Sequence, residues 1–147
     1  MPLDEGLRAL YNALILEHDR SPRNCGPLAG ATHEASEENP LCGDELTLRL
    51  RVPAGQVDEA RFEALGCALS RASASLMTEA LKGKSVDEAL ALALAFEASL
   101  AGQAPAPAPG LEAFAGVRDF PSRVGCATLA WRALRAALAS GGPGASG

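Results

Sequence analysis

Asn39-Pro40-Leu41-Cys42-Gly43-Asp44-Glu45-Leu46-Thr47-Leu48-Arg49-Leu50-Arg51-Val52 is the stretch that decides the fold. Its second half alternates Leu46, Leu48, Leu50 and Val52 with Thr47, Arg49 and Arg51, the period-two pattern of a half-buried strand. Pro53-Ala54-Gly55-Gln56 turns the chain. Val57 to Leu65, with Ala60, Phe62 and Ala64 on one face, returns as the antiparallel partner. Hairpin strands run back over each other, so the residues before the first strand and after the second meet at one end. Cys42-Gly43-Asp44 therefore comes beside Gly66-Cys67, and the sequence separation of Cys42 and Cys67 collapses to ligand distance. Pro40 fixes its own φ, and Gly43 permits the bend that aims Cys42 and Asp44 at one centre. Cys126, behind Gly125, adds a third thiol. Three thiols and one carboxylate make the four ligands that a closed tetrahedral site needs.

On the N-terminal side, Leu3, Leu7, Leu10, Tyr11, Leu14 and His18 recur at spacings of three and four, which predicts a helix from about Pro2 to His18. Ser21-Pro22-Arg23-Asn24 ends it. His18 reads as a positive group near the helix's negative end, not as a ligand. Cys25-Gly26-Pro27 is a turn with a spare thiol. Thr32 to Glu38 is a short polar edge strand, with His33 facing solvent.

On the other side of the hairpin, Ala68 to Leu81 reads as a helix closed by Lys82-Gly83-Lys84. Ser85-Val86-Asp87-Glu88 is a capping box that opens another helix to about Leu100. Gly102 to Gly110, with Pro105, Pro107 and Pro109, is a semi-rigid surface connection. A short helical turn over Leu111 to Gly116 precedes a last helix from Ala127 to Ala139. Residues 1–139 make one domain, and the Gly/Ser-rich tail 140–147 is expected to be disordered.

The chain has 147 residues, enough for one domain with a real core. Aromatics make up 4%, so Ala and Leu must do most of the packing. A net charge of −5 argues against nucleic acid as a partner, because phosphate contacts need a basic surface. The N-terminus lacks the pattern of a secretory signal, and the longest apolar run, Ala89 to Phe96, is too short to span a bilayer. A cytoplasmic address follows. In that reducing compartment several cysteines point to metal or catalysis, not disulfides.

Cys67 and Cys126 each precede a predicted helix, where unpaired N–H groups and the positive dipole end favour a thiolate. Arg123, three residues before Cys126, is a permanent cation that offsets the charge of thiolates and carboxylate, or else a surface arginine. The close Cys-x-x-Cys pairs of zinc fingers are absent. Neither His18 nor His33 is placed as the paired base of a cysteine protease. A carboxylate among thiolates suggests a site that changes its ligands. Spacing alone leaves the site open between structural zinc, catalytic zinc and a cluster.

The chain resembles the U-type iron–sulfur cluster assembly proteins, the IscU/SufU family that includes the N-terminal domain of NifU. The segments that carry the resemblance are Ile15-Leu16-Glu17-His18, Ser21-Pro22-Arg23-Asn24, Asn39 to Asp44, Gly66-Cys67-Ala68-Leu69-Ser70 and Phe120-Pro121-Ser122-Arg123-Val124-Gly125-Cys126-Ala127-Thr128-Leu129-Ala130-Trp131. It looks most like the SufU branch. IscU-type members carry a His immediately before the last Cys, where this chain has Gly125. SufU-like members carry an Arg at the position of Arg123 and an insertion between the second and third cysteines.

The resemblance implies an α+β fold, a small antiparallel sheet with helices packed on one face. It implies zinc held by Cys42, Asp44, Cys67 and Cys126. It further implies that Cys42 accepts persulfide sulfur from a cysteine desulfurase of the SufS/IscS type and passes it to a downstream cluster scaffold or to apo-proteins. Arg123 would stabilise the thiolates or dock the partner, and on this reading the protein is a zinc-dependent sulfurtransferase. The alternative is a non-enzymatic scaffold on which a transient [2Fe–2S] cluster forms at Cys42, Cys67 and Cys126. A third reading is a structural zinc domain that only docks partners.

Overall fold

A computed structural model describes residues 13–40, 43–119 and 121–139. Strands β1 (His33–Asn39), β2 (Asp44–Arg51) and β3 (Glu59–Leu65) form one antiparallel sheet in the order β1-β2-β3. The alternation expected of the central strand is present. Leu46, Leu48 and Leu50 are at most 1% exposed and share their face with Ala60 and Phe62. Each buried Leu stabilises the fold by about 1.5–3 kcal/mol relative to exposure. The opposite face is wet and laced with ion pairs, among them Arg49–Glu63 at 2.6 Å and Arg51–Asp58 at 2.8 Å.

Residues 13–20 are helical (α1), and the predicted helix residues 2–12 lie outside the described part. After the hairpin come α2 (Ala68–Leu81) and α3 (Val86–Leu100). A 3-10 segment (Leu111–Asp119) and α4 (Pro121–Ala139) follow. α2 and α4 pack on the apolar face of the sheet and on each other, and α3 packs on α4. No helix among the described residues is long and apolar enough to cross a membrane.

The predicted capping box forms as written. Glu88 N–H donates to Ser85 Oγ at 3.1 Å, and Ser85 N–H donates to Glu88 Oε1 at 2.9 Å. That backbone hydrogen bond holds the Glu88 carboxyl below its ordinary value. The connection over residues 102–110 is more than a surface link. Ala106 and Ala108 pack against the core, and a Cβ on Gly110 would press within 2.8 Å of Leu76.

α4 starts six residues earlier than the sequence suggests. Pro121 suits the first helical position, where its missing N–H has no partner to lose. Gly125, whose cost in a helix interior argues for a later start, instead serves close packing. A Cβ there would meet Asn39 Nδ2 at 2.8 Å.

Candidate metal centre

Three elements deliver ligand atoms to one end of the sheet. Asp44 opens β2, and its period of two puts the carboxylate on the core face with Leu46, Leu48 and Leu50. It is 2% exposed. Asn39, paired with Asp44 across β1 and β2, is a second buried polar residue there. Cys67 is the N-cap of α2, and Cys126 lies on α4. One ligand atom each from Asp44, Cys67 and Cys126 lies within 4.8 Å of the others. Cys42 lies outside the described residues. On either side of it, Gly43 N–H donates to the Asn39 carbonyl at 2.8 Å.

Asp44 is the hub of the described cluster. Its Oδ1 accepts from Cys67 N–H at 3.1 Å. Its Oδ2 accepts from Cys67 Sγ at 3.3 Å and from Ser70 Oγ at 2.5 Å. Gly66 has φ +149°, and a Cβ there would collide with the Asp44 carboxylate, so only glycine lets β3 enter α2 beside that group. Asn39 Nδ2 donates to Cys126 Sγ at 3.8 Å.

These residues fit a four-coordinate cation. Zinc bound to sulfur at about 2.3 Å and oxygen at about 2.0 Å needs tetrahedral ligands roughly 3.3–3.8 Å apart. The 3.3 Å between Cys67 Sγ and Asp44 Oδ2 is close to the roughly 3.5 Å that a sulfur–oxygen edge would span. Thiol donors favour zinc or iron over magnesium and calcium.

One expectation about the site changes. Cys126 is not at a helix start, because α4 begins at Pro121 and the helix N–H groups around Cys126 belong to its interior ladder. The dipole argument therefore does not apply to Cys126, whose sulfur instead accepts from Asn39 Nδ2. Arg123 is exposed and lies one helical turn before Cys126. Cys25 is exposed, bridges to Phe62 beside β3 and is not among the residues of this cluster. Asn39 and Ser70 are the site residues that sequence reasoning missed. Asn39 shows itself as the cross-strand partner of Asp44 at the end of the β1–β2 hairpin, and Ser70 through its i+3 spacing from Cys67 on a helix.

His18 also departs from expectation. It is 4% exposed, with Nδ1 at 2.7 Å from Ser75 Oγ. Ser75 accepts from Arg23 N–H at 2.8 Å, so a neutral ring can take at Nδ1 the proton that Ser75 has to give. Burial, then the Arg23 cation, push its pKa below the ordinary 6.5, against smaller opposing effects of Glu79 and Glu17. It is a buried neutral group, not a positive helix end. His33 is half-buried beside Thr32 Oγ1 at 2.8 Å, and burial lowers its pKa too. With a depressed pKa in the fold, the unfolded chain binds more protons. Stability is therefore full above pH 6.5 and falls as pH drops from there towards the folded pKa. Urea unfolding between pH 7.5 and 5.5 should show this loss in the wild type and a smaller one in His18→Asn. An equal loss in both would remove His18 as its source.

The model of the NifU-like N-terminal domain family matches residues 10–140. A protein named zinc-dependent sulfurtransferase SufU, from Bacillus subtilis, is 38% identical over 95% of this chain and 96% of its own length. A protein named iron–sulfur cluster assembly scaffold protein IscU, from Streptococcus pyogenes, is 40% identical over 90% of this chain and 84% of its own. The crystal structure of a putative iron–sulfur cluster assembly scaffold protein for the SUF system from Fervidobacterium islandicum superposes with a TM-score of 0.79. It is 30% identical over 85% of this chain and 93% of that one.

Proposed function

The chain belongs to the family of NifU-like N-terminal domains, and from that premise we propose that it is a zinc-holding sulfur acceptor of iron–sulfur cluster assembly. One observation carries this reading: three elements bring Asp44, Cys67 and Cys126 to one centre. In this reading Cys42 is the fourth ligand, next to Asp44 but for one glycine. The metal-binding unit is a single domain over residues 1–139, and its address is cytoplasmic.

Zinc, when bound, would hold its cysteine ligands as thiolates at neutral pH. Cys67 and Cys126 are tied into α2 and α4, whereas the sequence sets Cys42 between the turn-forming Pro40 and Gly43. Cys42 is therefore the nucleophile. Its thiolate attacks the outer sulfur of a cysteine desulfurase's persulfide. A new S–S bond forms as the donor's S–S bond breaks, the donor cysteine leaves as a thiolate, and Cys42 carries the persulfide on to a downstream scaffold or apo-protein. Asp44, the one hard donor among thiolates, is the ligand that exchanges most readily. Arg123 supplies a cation one turn from Cys126, for the thiolates or for the docked partner.

The scaffold reading draws support from the Streptococcus pyogenes relative's name. Against it stands Gly125, where an IscU-like histidine would have to displace buried Asn39. The test is cysteine turnover by the cognate desulfurase with and without the zinc-loaded protein. Strong stimulation that disappears in Cys42→Ser supports the sulfur acceptor. Activity that appears only after zinc is replaced by iron, with a brown [2Fe–2S] chromophore on reconstitution, makes the protein a scaffold.

A further inference from the structure

Ser70 is fully buried on the first turn of α2, three residues after Cys67. Its Oγ lies 2.5 Å from Asp44 Oδ2, 3.3 Å from the Cys126 carbonyl and 3.8 Å from Cys67 Sγ. One hydroxyl reaches the Asp44 carboxylate, the Cys67 sulfur and the backbone of Cys126. A hydroxyl has one proton to give and here has two oxygen acceptors. The shorter separation, in the range of a charge-assisted O–H···O⁻ bond, assigns the proton to Asp44. The Cys126 carbonyl stands ready as the second acceptor.

Ser73, one turn further along α2, provides the contrast. It is equally buried and also faces α4, donating to the Ala127 carbonyl at 2.6 Å and accepting from Trp131 Nε1 at 3.0 Å. Its bonds join two helices and touch none of the ligand residues. The first turn of α2 also carries no acidic residue, so the charge that meets its N-terminus comes from Asp44 across the fold.

We propose that Ser70 is a positioning residue of the centre. Its hydroxyl aims Oδ2 of Asp44 at the sulfurs of Cys67 and Cys126. By turning to the Cys126 carbonyl it also lets that carboxylate shift without leaving a buried donor unpaired. The proposal rests on the metal-holding reading above. Groups that hydrogen-bond to metal ligands are worth about 10–100-fold in metal affinity, which sets the size of the effect.

The test measures zinc dissociation constants by competition with a chromophoric chelator, together with the cobalt(II) absorption spectrum. Ser70→Ala is expected to weaken zinc by about 10–100-fold and to shift the cobalt bands. Ser73→Ala should lower the thermal stability of the metal-free protein yet leave zinc affinity within about threefold, as expected of a bond that touches no ligand. In an Asp44→Ala background, Ser70→Ala should add no further loss of zinc, because the two act as one unit. Wild-type affinity and spectrum in Ser70→Ala would overturn the proposal. So would the same loss with and without the Asp44 carboxylate. A wild-type protein that takes up neither zinc nor cobalt would overturn the metal-holding reading beneath it, an outcome distinct from either of these.

Discussion

Cys67→Ser is expected to lose zinc affinity by about 100-fold or more while the metal-free protein stays as stable as the wild type. The two halves of that result come from the two jobs of one residue. Cys67 is the N-cap of α2, with extended backbone angles and no hydrogen bond from its own side chain to the backbone N–H groups of the helix's first turn. Serine is among the best N-cap residues, and its oxygen can accept from the first-turn N–H groups that the thiol leaves unbonded. Its backbone N–H still donates to Asp44 Oδ1. The helix start is thus preserved or improved. As a metal ligand, serine is a poor substitute, because a neutral hydroxyl replaces a thiolate at neutral pH. Chelator competition for zinc, with thermal melts of the metal-free forms, separates these effects. Zinc binding within threefold of the wild type would remove Cys67 from the ligand set. A large drop in metal-free stability would show that the thiol's packing, not its ligation, is what the fold needs.

Trp131→Ala is expected to destabilise the protein by about 3–5 kcal/mol, a large share of the roughly 5–15 kcal/mol that a domain has. Trp131 is fully buried and stacks on Phe96 with ring centroids 4.8 Å apart. Phe96 in turn meets Phe114 edge-on at 5.9 Å. These rings come from α4, α3 and the 3-10 segment, so one aromatic joint pins the segment between Cys67 and Cys126 onto the helix that carries Cys126. Removing the indole opens a cavity at this joint and also strips Ser73 of the Nε1 donor it accepts from. Urea unfolding followed by far-UV circular dichroism gives the magnitude. A loss below about 1.5 kcal/mol would mean that the joint closes around the smaller side chain. The stability loss should be accompanied by weaker zinc binding, since α4 holds both Trp131 and Cys126.

What is local in this protein is written in its sequence. The alternation of Leu46, Leu48 and Leu50 sets the central strand, and Ser85 with Glu88 starts α3. The hairpin's geometry then requires Asp44 and Cys67 to meet, as they do. In each case a signal within a few residues outweighs everything distant. The beginning of α4 was not legible, because Gly125 reads as a helix breaker until the buried Asn39 amide is seen to occupy the space its side chain would need. The charge of His18 was not legible either. Helix position favours a cation there, whereas burial against Ser75 and Arg23 favours the neutral ring. Only the tertiary structure decided that Asn39 serves Cys126 and that Ser70 bridges Asp44 and the Cys126 backbone. Those hydrogen bonds join residues 26 to 87 positions apart, and no local periodicity encodes a partner that the chain meets only after the sheet and its two helices have packed.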